Sequence, residues 1–187
     1  MKRKPKNSKN NKYKALLFII ISLVLLATST QIAEEKEQKP KGKLEFKKGD
    51  EFSVRVVGVS DGDTFTGLTA DNQQIKCRIY GIDAPEKKQA FGNRSKQVLS
   101  DLIFDKQVKI KVQNKDRYQR AVVWVFTPDG KDVSAEMLRM GMAWHYKQYS
   151  KDNEYAELEK TARRQKVGLW ADKAPVEPWE FRKQPKK

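Results

Sequence analysis

Between Glu51 and Ile82 the chain runs through three short alternating stretches separated by turn sequences, and this stretch narrows the architecture most. Phe52, Val54 and Val56 alternate with polar residues in a first strand that ends near Ser60. "DGDT" (Asp61 to Thr64) opens a second strand, "TFTGLT", and "ADNQQ" turns the chain into a third, "QIKCRIYGI". A helical stretch follows, "AFGNRSKQVLSDLIF", with Phe91, Val98, Leu99, Leu102 and Ile103 on one face. "QVKIKVQ" is a fourth strand, and "RAVVWVF" is a fifth, stopped by the turn "TPDGK". The short helix "SAEMLRMG" closes at Gly141. The last helix is predicted from Asn153 to Val167, with Tyr155, Leu158 and Ala162 inward and Glu159 paired with Arg163. Three meandering strands, a helix and two more strands is the order of a five-stranded Greek-key barrel of the OB type. The predicted class is α+β, mainly β, with three helices; a small α+β sandwich shares the order.

The barrel does not use the whole chain of 187 residues. A basic flank precedes the apolar run "ALLFIIISLVLLA" (Ala15 to Ala27), the layout of an export signal. The run is short against the ~20 residues of a membrane span, yet no acid or base appears from Ala15 until Glu34. Residues 1–33 are therefore expected to be either a cleaved signal peptide or a retained membrane anchor, with the following domain outside the cell. Residues 34–50, "EEKEQKPKGKLEFKKGD", are nearly all charge with Pro and Gly and are expected to form a solvated linker. The domain is assigned to 51–181 and a basic tail to 182–187.

The net charge of +15 sits mostly in the leader and tail, so charge alone does not make the domain a nucleic-acid binder. The basic ends are expected to be solvated or membrane-facing. The single cysteine, Cys77, excludes an internal disulfide. It shares a strand face with Ile75 and Ile79 and is expected to be a core thiol.

Chemistry concentrates where strands two and three adjoin. "RIYGIDAPE" carries Arg78, Asp83 and Glu86, and "DGDT" supplies Asp61 and Asp63. In a regular strand Arg78 and Asp83 point to opposite sides, so one site can use both only if the chain slips between them. Gly81 is the predicted place for a bulge, and Pro85 then stops the strand and holds Glu86 on a stiff turn. Asp63 and Asp83 are expected to meet. Two carboxylates about 4 Å apart repel by roughly 4 kcal/mol at an effective dielectric near 20, a cost that a cation between them offsets. Oxygen ligands on a loop-rich frame suit Ca²⁺ better than Zn²⁺. "DRYQR" (Asp116 to Arg120) adds Arg120 at a strand end and Tyr118 beside it. Two guanidiniums beside a metal–carboxylate site match the needs of a phosphodiester, and Glu86 is placed to hold or deprotonate water.

"DGDT", an Arg followed five residues later by "D-x-P-E", and "DRYxR", in that order, resemble the staphylococcal nuclease (thermonuclease) family across Glu51 to Trp170. The resemblance implies a Ca²⁺-dependent phosphodiesterase acting on DNA and RNA and leaving 3′-phosphate ends. It implies that Asp63 and Asp83 ligate Ca²⁺ with the backbone carbonyl of Ala84, and that Asp61 sits near the ion through water. It also implies that Arg78 and Arg120 bind the phosphate and stabilise the transition state, with Glu86 as general base. Three departures stand out. Ala84 replaces a hydroxyl residue of the best-known enzyme; Gln119 replaces a glycine, a change expected to restrict its loop; and the segment after Glu86 is shorter. The ending "PWEFR" (Pro178 to Arg182) resembles a tail of bacterial relatives, without a role that the residues declare.

Tyr118 is a candidate for stacking on a base, which favours single-stranded or frayed substrate, with simple packing as the alternative. Tyr146 and Tyr149 are candidates for another side of the nucleotide pocket. His145 is expected to be structural, and Trp124, Trp144, Trp170 and the methionines from Met137 to Met142 to pack. A monomer is expected. Two other readings compete: a non-catalytic OB-fold module binding nucleic acid or protein, and a surface-anchored interaction protein in which the leader and linker matter most.

Overall fold

The computed structural model describes residues 44–184. Its alternating runs pair as the turn signals suggest. Strand β1 (Glu51–Val59) lies antiparallel to β2 (Thr64–Leu68), and β2 to β3 (Gln74–Ile79). A two-residue strand, β4 (Ile82–Asp83), follows β3, and helix α1 (Gly92–Ile103) follows β4. Strands β5 (Gln107–Lys115) and β6 (Ala121–Phe126) form an antiparallel pair. The long connection through α1 lets β6 run parallel to β3, which a tight hairpin cannot do. Pairing of β5 with β1 closes a five-stranded barrel in the order β1-β2-β3-β6-β5. Alternation sends Val54, Val56, Phe65, Ile75, Cys77, Ile79, Val108, Ile110, Val112, Val123 and Val125 into its interior. Cys77 is a buried thiol, as its strand face predicts, and burial pushes its pKa up.

Val98, Leu99 and Ile103 of α1 are buried against the barrel core. Helix α2 (Val133–Arg139) is capped by Asp132, whose carboxylate accepts from the N–H groups of Ser134 and Ala135. The other oxygen of Asp132 accepts from the Tyr155 hydroxyl at 2.5 Å, joining α2 to helix α3 (Asn153–Gln165). Helix α3 ends at Gln165, two residues before the predicted Val167, and its C-cap Lys166 turns left-handed at φ +54°. A 3-10 turn (Gly168–Ala171) and a short helix α4 (Pro178–Phe181) add to the three expected helices. Strand β7 (Trp144–His145) pairs with β4. Trp144, Ala162, Leu169 and Trp170 form a second apolar cluster, joined by Phe91 and Trp179. The Arg163 guanidinium covers the Trp170 ring at 3.8 Å.

The segment 1–33, read as signal or anchor, lies outside the described residues, as does most of the 34–50 linker. Among the described residues no helix is long and apolar enough to cross a membrane. The end of the linker differs from the solvated segment expected. Leu44 and Phe46 pack against the core, and the Gly49 N–H donates to the Val112 carbonyl at 2.8 Å. Two apolar side chains among the charges are enough to dock it.

Candidate active site

The "DGDT" turn is built by its own side chains. Asp61 Oδ1 accepts from the Asp63 N–H at 3.0 Å, and the Ser60 N–H reaches the Thr64 carbonyl at 2.8 Å. Asp63 is buried; its Oδ1 accepts from the Thr64 hydroxyl and its Oδ2 from the Ala84 N–H at 2.8 Å. Gly62 is required by this approach, because a Cβ there would lie 1.9 Å from Ser95 Oγ and 2.7 Å from the Ala84 Cβ. The registry of β2 with β3 sets Thr64 opposite Arg78.

Arg78 and Asp83 do reach one site, but by a turn between two strands rather than a bulge within one. Gly81 takes φ +79°, and β3 ends at Ile79 while β4 begins at Ile82. That turn wraps the guanidinium: Arg78 Nη1 donates to the carbonyls of Ile79 at 2.9 Å and Ile82 at 2.8 Å. Its Nη2 lies 2.9 Å from Asp83 Oδ1 and 3.1 Å from Asp63 Oδ2. Asp63 and Asp83 therefore converge as expected, and the positive group between them here is Arg78. Glu86 follows buried Pro85 and is half-exposed; its backbone N–H donates to Gln89 Oε1 at 3.1 Å.

Arg120 is oriented by Asp116. Asp116 Oδ1 accepts from the N–H groups of Tyr118 and Arg120, each at 2.9 Å, and Oδ2 takes Arg120 Nε at 2.7 Å. Burial opposes the charge of Asp116, but these bonds to Arg120 and Tyr118 outweigh it and lower its pKa. Arg120 Nη1 reaches Thr64 Oγ1 at 3.3 Å, so β6 delivers it beside the "DGDT" turn. Gln119 adopts φ +65°, a left-handed geometry that favours glycine. The exposed Tyr118 ring carries the guanidiniums of Arg117 at 4.8 Å and Arg120 at 5.4 Å.

One cleft of about 640 Å³ collects the predicted residues. Asp61, Asp63, Asp83, Ala84 and Glu86 line one part of it. Arg78, Arg120, Tyr118 and Tyr146 line the rest, with Tyr149 also present. Burial, followed by the charge of Asp63, pushes Asp61 up to about 6. Burial likewise raises Asp83, against the pull of Arg182 and Arg78. His145 is buried in β7 at 3% exposure and does not line this cleft.

The residue that sequence reasoning missed is Arg182, assigned to a solvated tail. Its Nη2 bonds Asp83 Oδ2 at 2.7 Å, and its Nη1 bonds Glu86 Oε1 at 2.8 Å and Asp83 Oδ1 at 3.2 Å. Its one sequence signal was the "PWEFR" ending. Asp116, which also lines the cleft, was missed as well, an Asx-type turn former at the start of "DRYQR". Among the described residues, no group of three or more His, Cys, Asp or Glu is drawn together around a point that could hold a metal ion. The donors are nonetheless all hard oxygens, the type that Ca²⁺ takes, with Asp63 Oδ2 and Asp83 Oδ1 each within 3.1 Å of Arg78 Nη2.

A family model described as staphylococcal nuclease homologue matches residues 76–172. A Haemophilus influenzae protein named an uncharacterized endonuclease is 49% identical over 134 residues, covering 72% of this chain and 75% of that one. A micrococcal nuclease of Shigella flexneri is 41% identical over 143 residues, covering 71% and 82% respectively. A staphylococcal-like nuclease of Arabidopsis thaliana is 32% identical over 163 residues, covering 84% of this chain and 49% of that one.

Proposed function

This chain belongs to the staphylococcal nuclease family, and from that premise we propose that it is a Ca²⁺-dependent nuclease hydrolysing phosphodiester bonds of DNA and RNA and leaving 3′-phosphate ends. The observation that carries the reading is that Arg78, Arg120 and Glu86 open onto the same 640 Å³ cleft as the Asp63–Asp83 pair. That volume suits a nucleotide-sized ligand.

Each residue has work that its position supports. Arg120 uses Nε on Asp116 and Nη1 on Thr64, which leaves Nη2 for a phosphate oxygen. Arg78 holds the acid pair together and presents its charge to the same phosphate. Both guanidiniums stabilise the charge that grows as phosphorus becomes five-coordinate. Glu86 accepts a proton from water as the water oxygen bonds to phosphorus. The bond from phosphorus to the 5′-oxygen breaks, the 5′-oxygen takes a proton from solvent water, and the phosphate stays on the 3′ side. Asp63, Asp83 and the Ala84 carbonyl, with Asp61 through water, are the residues that would hold Ca²⁺, which when bound neutralises the acids and the phosphate.

Single-stranded or frayed nucleic acid is the favoured substrate in this reading, because Tyr118 stands 65% exposed beside Arg120 and offers a ring to an unpaired base. The basic flank and apolar run at 15–27 support export, with the domain outside the cell, either secreted or membrane-anchored. We read the enzyme as a monomer.

A zymogram on single-stranded DNA, with Ca²⁺ and with a chelator, tests the proposal. A cleared band only with Ca²⁺ is expected. Clearing in the chelator would refute the metal requirement, and binding without clearing would make the protein a non-catalytic OB-fold module.

A further inference from the structure

The ending that follows the matched family segment is built into the cleft. Gln89 joins the two: its Oε1 accepts from the Glu86 N–H at 3.1 Å, and its Nε2 donates to the Val176 carbonyl at 2.5 Å. Pro178 is buried at the start of α4. Trp179 stacks on Tyr146 with rings 5.5 Å apart and 4° from parallel, and meets Trp144 edge-on at 5.7 Å. Aromatic packing of this kind fixes a short segment that has too few residues to be a stable helix alone.

The docked turn carries Arg182 to the acid cluster. Its guanidinium forks onto both oxygens of Asp83 and reaches Glu86 with the same Nη1. Glu86 is a side chain with three rotatable bonds, 40% exposed. Among the described residues, the ion pair with Arg182 is the one polar tie of its side chain. Asp83, by contrast, is held a second time by Arg78. A half-exposed glutamate without such a tie samples several rotamers, only some of which aim the carboxylate into the cleft.

We propose that Arg182 is a positioning residue for the nuclease reaction: the C-terminal turn, anchored by Trp179, delivers a guanidinium that holds the Glu86 carboxylate beside Asp83 and aims it at the water it deprotonates. The inference rests on the nuclease reading above. It makes residues 176–182 part of the active site, including Arg182, which the sequence reading placed in the basic tail. Arg182 acts through Glu86, so its effect belongs to turnover and not to substrate capture.

A double-mutant cycle on the full-length protein tests this. Initial rates on single-stranded DNA with saturating Ca²⁺ are measured for the parent, Arg182→Ala, Glu86→Gln and the double variant. Arg182→Lys and Trp179→Ala complete the set. Melting curves in chelator are recorded for all. A positioned general base contributes about 10²–10⁴-fold, so Arg182→Ala should lower kcat by about 10-fold or more, with KM changing less than about 3-fold. In the Glu86→Gln background the same change should cost little further, because the group it positions is already gone. Trp179→Ala should reproduce the kcat loss with Arg182 intact, and Arg182→Lys should recover part of it.

Full additivity of the two losses, or a loss confined to KM, would overturn the proposal in favour of Arg182 binding the phosphate itself. Unchanged or faster turnover in Arg182→Ala would overturn it in favour of an obstructing tail. Absence of cleavage by the parent would remove the nuclease reading and this inference with it. Cleavage by the parent with uncoupled variants removes the inference alone.

Discussion

The Ala84 N–H donates to Asp63 Oδ2 at 2.8 Å and so ties the end of β4 to the turn before β2. Both partners are buried, and the bond spans chain segments 21 positions apart. It holds one acid of the cluster against the peptide that follows the other. Asp63→Ala and Asp63→Asn should therefore differ. Alanine leaves a buried N–H without an acceptor, at a cost of about 1–3 kcal/mol, while asparagine keeps an oxygen in place. Melting in chelator should show the alanine variant clearly lower. Both should weaken Ca²⁺ binding by calorimetry, since each loses a charge. Equal melting temperatures for the two would show that the bond contributes nothing.

Asp61 carries the clearest pH signature. Its ordinary pKa of 3.8 is pushed up to about 6 by burial and then by the charge of Asp63. A raised carboxyl binds its proton more tightly in the fold than in the open chain. The stability it contributes is fully present below pH 3.8 and is lost as pH rises through about 6. In chelator at neutral pH the ionised Asp61 thus works against the fold. Asp61→Asn retains an oxygen for the Asp63 N–H and removes the charge. It should raise stability near pH 7 by on the order of 1–2 kcal/mol and flatten the decline between pH 4 and 6. A parallel pair of melting profiles against pH would contradict this.

Asp116 and Arg120 form a unit, which separates holding a side chain from having it. Arg120→Ala removes the proposed phosphate contact and should cut kcat/KM by about 10²-fold or more while unfolding stays cooperative. Asp116→Ala keeps the arginine but loses its tether and the bonds to two backbone N–H groups. It should lose less activity than Arg120→Ala and should add little to it in combination. Two fully additive losses would mean that Asp116 does not orient Arg120.

The strands, the barrel order and ten candidate residues lining one cleft were legible because each rests on a local signal. Alternation exposes a strand, "DGDT" marks a turn, and the fifth strand brings Arg120 level with the first turn by simple pairing. What was not legible shares a different physics. Arg182 meets Asp83 across 99 positions of sequence, through a stacked tryptophan and a glutamine, none of which leaves a periodic trace. A basic ending after a Pro and a Trp looks the same whether it is solvated or docked. The strand break at Gly81 was predicted as a bulge because spacing shows that the chain must slip, but not how. Leu44 and Phe46 were lost in a charged segment for the same reason: two apolar residues dock a strip that its average composition assigns to water.

Gly62 offers the sharpest steric prediction, since it separates the two acids of "DGDT". An added Cβ would meet Ser95 Oγ at 1.9 Å, Ala84 Cβ at 2.7 Å and Ser95 Cβ at 2.8 Å. Ser95 cannot swing away freely, because it is fully buried and its hydroxyl donates to the Met142 carbonyl at 2.7 Å. Gly62→Ala must therefore push the turn outward, carrying Asp61 and Asp63 with it. Overpacking of this kind costs about 1–3 kcal/mol. Activity should fall further than stability, because a displacement near 1 Å at reacting groups costs about 100-fold. Adding Ser95→Gly removes two of the three contacts and should restore part of the activity, even though glycine weakens α1 by about 1 kcal/mol. A Gly62→Ala protein with parental turnover would show that the turn can move without disturbing the acids, and that the close approach of α1 to "DGDT" is not what places them.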